Sequence, residues 1–126
     1  MSPSRPPDTS AQSIALVNAR VWTGDARRPW ADAVLTIGDR IELVGSSAEV
    51  KKRASASTTV LDAKRMLAAR TPDAGASEPL RRGEPANVVV VRENLLRVTA
   101  EALRDAEVVL EIAGGVVVVD RDGLAG

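Results

Sequence analysis

A chain of 126 residues fits one small domain, and its 17 basic residues balance 17 acidic ones, which removes the long-range field that draws a protein to nucleic acid or to an anionic membrane. The absence of cysteine and histidine excludes disulfides, thiolate and imidazole metal ligands, and nucleophiles of the Ser-His-Asp or Cys-His kind. Trp22 and Trp30 are the only aromatic residues, so Val, Leu, Ile and Ala must build the core, and exposed bases have almost nothing to stack on.

Residues 1–12 are rich in Pro and Ser without an apolar period and are expected to form a disordered tail. From Ile14, the run IALVNARVW alternates as a strand that passes into Val21-Trp22, and Thr23-Gly24-Asp25 marks a turn. ADAVLTI and RIELVG flank Gly38-Asp39, a two-residue link suited to a hairpin because Gly and Asp tolerate positive φ. Ser46 and Glu49 have the spacing of a capping box at the head of a short helix. TTVLDAKRMLAA follows as one or two short strands. Residues 70–86 contain three prolines and two glycines and read as a long loop. NVVVVR is an apolar run of strand length, expected to be buried on both faces, although its periodicity alone fits a buried helix too. Thr99 suits the cap of a helix over TAEALRDA, and EVVLEIAGGVVVVD is a hairpin around Gly114-Gly115. The sum is a mainly β fold of about seven short strands with two short helices, in a sandwich or pseudo-barrel.

The order of these motifs resembles the amidohydrolase superfamily of metal-dependent hydrolases. Residues 14–69, from the first strand through the Gly38-Asp39 hairpin to Leu61-Asp62, resemble the opening segment of such enzymes. Residues 81–120, with Gly83 to Asn87, the valine strand and the Gly114-Gly115 hairpin, resemble their closing segment. In that family the two segments form one composite β domain, and a catalytic (β/α)8 barrel is inserted between them. Here the chain runs from Met66-Leu67-Ala68-Ala69 into Arg70-Thr71-Pro72-Asp73, where the family pattern has Pro-Gly and then a His-x-His pair, and it returns within a short linker. The resemblance therefore implies a β domain without the barrel and without the family's metal ligands. Asn87 stands where the family usually has Asp, a change that adds a hydrogen-bond donor. The expected organisation is a tail over 1–12, one composite β domain over 13–120 made of segments 13–69 and 81–120 joined by linker 70–80, and a tail over 121–126.

The residue types and their spacing offer few candidate sites. Asp25, Asp32, Asp39, Asp62, Asp105 and Asp120 fall mostly in turns and at strand ends, where Asx turns account for them, and no catalytic pair is named. Asp120-Arg121-Asp122-Gly123 has the opening of a calcium loop but no distal Glu. Gly114-Gly115 lacks the spacing of a dinucleotide site. Arg27-Arg28 and Arg81-Arg82 are short basic clusters that could hold an anion, but surface solvation is the expected account of them. Trp22 and Trp30 are expected to plug the core or an interface.

The expectation is thus a cytoplasmic, non-catalytic amidohydrolase-like domain with no catalytic, metal or cofactor residues and no nucleic-acid or membrane partner. The alternatives are a module that docks on a separate barrel subunit or other protein partner, and a residual hydrolase acting on C–N bonds. A homodimer is expected, because a β domain without its barrel would leave valines of NVVVVR and GGVVVVD in water. In a competing arrangement, residues 70–86 fold over that face with Leu80 as the plug.

Overall fold

The computed structural model describes residues 13–71, 80–93 and 98–121; the expected tails, apart from Arg121, and most of the linker lie outside them. The chain order is β1 (Ser13–Val17), β2 (Arg20–Trp22), β3 (Trp30–Ala31), β4 (Ala33–Ile37), β5 (Arg40–Gly45), α1 (Ser47–Arg53), β6 (Thr59–Asp62), β7 (Leu67–Arg70), β8 (Val88–Val91), α2 (Ala100–Asp105), β9 (Val108–Ala113) and β10 (Val116–Asp120). The fold is mainly β, as expected. It has ten strands among the described residues rather than about seven, because the first strand breaks in two, TTVLDAKRMLAA divides into β6 and β7, and β3 is only two residues long.

Two sheets form the body, a four-stranded one in the order β5-β4-β1-β6 and a six-stranded one in the order β10-β9-β8-β7-β2-β3. Between them lies the main core, to which Ile14, Leu16, Val34 and Leu61 contribute from the first sheet and Val21, Val88, Val90 and Leu110 from the second. The strands at the centres of the sheets also carry apolar residues on their other faces, and each outer face is capped by a helix. Val50 of α1 covers Ala15, Val17 and Leu35, and Leu103 of α2 covers Leu67, Val89 and Val91. A strand covered on both sides reads as an uninterrupted apolar run, which is why IALV and VVVV lack alternation.

The sheets are linked by two parallel corners. β1 and β6 pair in parallel in the first sheet, and their continuations β2 and β7 pair in parallel in the second. Each path turns at residues with positive φ, Asn18 in one and Lys64-Arg65 in the other. A polar knot holds both turns: the Arg65 N–H donates to the Asn18 carbonyl at 2.7 Å, and Asp62 accepts from the Asn18 amide at 3.1 Å and from the Lys64 N–H at 2.8 Å. These two bonds, the Lys64 N–H first, hold the Asp62 carboxyl below the ordinary carboxylate range.

The local signals in the sequence have the expected structures. Ser46 accepts from the Glu49 N–H while Glu49 accepts from the Ser46 N–H, a complete capping box, and Thr99 accepts from the Ala102 N–H. Both hairpins form, and they meet each other: Gly115 has φ +82°, and a Cβ added there would run into the Gly38 carbonyl. Asn87 supplies the acceptor that Asp would supply, taking the Gly114 N–H at 2.8 Å.

Two expectations about apolar surface need correction or refinement. β8 contributes nothing to an exposed patch, since Val88 to Val91 are all buried between the main core and the α2 cluster. β10 does, with Val116 at 49% and Val118 at 55% exposure. Leu80 is buried in the main core, and its N–H donates to the Thr23 carbonyl at 2.7 Å, so the end of the linker is tied to the β2–β3 turn.

Candidate functional site

Residues 80–86 return from the linker as a strap along the free side of β5. The Ile41 N–H donates to Glu84 and the Gly83 N–H to Ile41, Arg40 bridges Pro85, and the Ala86 N–H donates to Asp39. Arg70 at the end of β7 pairs with Glu84 at 3.2 Å, which fixes the strap from the other side. Beyond Ile41, the strap and β5 diverge, and a groove of about 230 Å³ opens between β5, the β2–β3 turn, the end of α1 and residues 80–82.

One wall is the turn 23–28. The buried Thr23 hydroxyl donates to the Arg28 carbonyl at 2.6 Å and accepts from the Asp25 N–H at 3.0 Å, while Asp25 accepts from the Arg27 N–H in an Asx turn. This rigid turn sets Asp25 and Arg28 at the rim. The opposite wall is shaped by a bulge in β5. Leu35 pairs with Leu43 and Thr36 with Ile41, so Glu42 has no partner across the hairpin. A bulge re-aims the extra side chain. Here the Glu42 carboxylate oxygen Oε2 receives Arg53 at 2.9 Å and Arg82 at 3.5 Å. Arg28 also approaches Glu49 at 4.0 Å, and Glu49 is held below the ordinary carboxylate range chiefly by its bonds to the Ser46 N–H and hydroxyl. The floor between these groups is apolar, formed by Val44 and Leu80.

The remaining sequence candidates are scattered. Asp32 lies between β3 and β4, Asp39 in the β4–β5 turn, Asp62 in the corner described above, Asp105 in the last turn of α2 and Asp120 at the end of β10. Among the described residues no group of three or more His, Cys, Asp or Glu converges in a way that could hold a metal ion. Asp122 and Gly123 of the loop-like stretch lie outside those residues. The Gly114-Gly115 pair is a hairpin turn packed on Gly38. Trp22 and Trp30 meet edge to face with centroids 5.1 Å apart, and the Arg20 guanidinium lies 4.8 Å from the Trp30 ring. Neither plugs the main core: Trp22 packs on the outer cluster of the six-stranded sheet and Trp30 is exposed. Of the two basic clusters, Arg28, Arg81 and Arg82 all reach the groove. Sequence reasoning missed Glu42 and Arg53, because a bulge is a property of pairing between strands and leaves no local signature.

Among the described residues, no helix is long and apolar enough to cross a membrane. Over 54 residues, 43% of its length, the chain is 43% identical to the N-substituted formamide deformylase of Arthrobacter pascens, and the match covers 10% of that enzyme. The matched part is thus about a tenth of the relative's length. No family model matches the chain.

Proposed function

We propose that this chain is a non-catalytic β domain of amidohydrolase type, in which a short connector stands where such enzymes carry their barrel. The observation that carries this reading is the junction itself. β7 and β8 are paired neighbours, with Leu67 opposite Val91 and Arg70 opposite Val88, and the Thr71 N–H donates to the Asn87 carbonyl at 3.1 Å beyond the last pair. The chain therefore leaves and re-enters the sheet at adjacent, hydrogen-bonded points. A whole domain is most readily inserted or lost at such a point, because the flanking structure is the same either way. The partial likeness to a deformylase supports the same reading. With no histidine or cysteine in these 126 residues, the sequence lacks the nitrogen and sulfur ligands that usually fix a hydrolytic zinc.

The test is an assay of the purified chain on N-substituted formamides with zinc, nickel or iron(II) added. We expect hydrolysis no faster than in buffer with the metal alone; metal-dependent turnover that chelation abolishes would contradict the reading. The proposal includes self-association through the exposed valines of β10, with a homodimer as the expected state. Light scattering after size exclusion checks it. A mass that stays at 13.3 kDa at high micromolar concentration would rule out the dimer.

A further inference from the structure

We propose that the groove beside β5 binds a small molecule bearing two or more carboxylate or phosphate groups, through Arg53, Arg82 and Arg28, and that Glu42 is the internal occupant such a ligand displaces. The proposal is independent of the family reading and rests on three observations. First, the charges are concentrated. The groove is lined by four arginines, Arg28, Arg53, Arg81 and Arg82, with Asp25 and Glu42 among them and Glu49 beside Arg28.

Second, the geometry around Glu42 is that of a bound anion. One carboxylate oxygen receives guanidinium groups from two elements distant in sequence, the end of α1 and the strap, and it is presented by a residue that is extra to the strand pairing. Arg53 and Arg82 are mostly exposed, whereas the Glu42 side chain that the bulge directs toward them is 22% exposed, so the carboxylate is partly withdrawn from water and both guanidiniums remain open to a ligand. Third, the groove has room for a small ligand only, above an apolar floor. Its volume of about 230 Å³, with Val44 and Leu80 beneath the charged groups, suits a compact polyanion.

An acid displacing Glu42 would take over the Arg53 and Arg82 contacts, and a second acidic group would be met by Arg28 on the facing wall. The proposal predicts opposite effects for two kinds of substitution. Calorimetric and NMR titrations of the full chain at constant ionic strength, with pyrophosphate and with citrate as probes, provide the readout. Saturable binding is expected, with amide shifts confined to residues 23–28, 42–44, 53 and 80–82. The Arg53→Gln, Arg82→Gln double variant should bind at least tenfold more weakly, and Glu42→Gln should bind at least threefold more tightly. Binding of either probe supports the proposal, and the tighter one identifies the acid group. Non-saturating shifts spread evenly over all arginines would overturn it, as would unchanged or weaker binding by Glu42→Gln. Because that variant keeps its shape and removes only a charge, the sign of its effect decides the matter even if the double variant is destabilised.

Discussion

β8 and β10 carry the same four residues in a row, Val88 to Val91 and Val116 to Val119, and meet opposite fates. β8 lies between β7 and β9, with Val88 and Val90 against the main core and Val89 and Val91 against the α2 cluster. β10 is the outermost strand of its described sheet, and its pairing with β9 slips between Val117 and Val119, leaving Val118 as an extra residue in water. Identical local chemistry therefore does not decide burial; the number of neighbouring layers does. A bulge on an edge strand also twists it away from flat pairing, a device that blunts edges against aggregation.

The comparison can be broken most directly by charge. Val90→Asp should abolish the cooperative transition in a urea melt, since an unpaired carboxylate in the main core costs more than about 4 kcal/mol, whereas Val118→Asp, melted at a concentration low enough to keep the chain monomeric, should stay within about 0.5 kcal/mol of the parent. Equal losses in the monomer would show that β10 is covered within the chain itself, whereas a loss by Val118→Asp that grows with protein concentration is what the β10 dimer predicts.

The turn before β10 sharpens the contrast. Gly115→Ala should cost about 3 kcal/mol, combining a left-handed backbone with a clash on the Gly38 carbonyl. Gly114→Ala, where φ is +59° and nothing lies within 4 Å, should cost only about 1 kcal/mol. Similar urea midpoints for the two would mean that the hairpins do not abut.

A buried polar group reverses the sign. The Thr36 hydroxyl, in the inner strand β4, is buried and has no hydrogen-bond partner among the described residues. Thr36→Val should raise stability by about 1 kcal/mol, read as a higher melting temperature. The mildest expected effect is on pH. Asp62 and Glu49 are held below their ordinary values of 3.8 and 4.5, so their contributions are complete above those values and are lost as pH falls through the lowered ones. Thermal melts from pH 6 to pH 2 should show that loss, and Asp62→Asn should reduce its depth.

What could be read in the sequence divides along the same line as β8 and β10. The Gly38-Asp39 and Gly114-Gly115 turns, the Ser46–Glu49 box and the Thr99 cap are each decided within a few residues, and each was legible. The break at Asn18 was not, because its left-handed backbone is held by bonds to Asp62, Ser47 and Arg65, which lie far along the chain. For the same reason the arginine pairs were visible as clusters, while the groove they share with Arg53 and the bulged Glu42 depends on how β5 pairs with β4.

The central claim is that the segments on either side of the connector make one folded unit. Urea unfolding followed together by Trp22 and Trp30 fluorescence, which reports the first segment, and by the amide NMR signals of Val109 to Ile112, which report the second, tests it most directly. One shared midpoint is the predicted result; loss of the β9 signals at a urea concentration that leaves the tryptophan fluorescence native would contradict it.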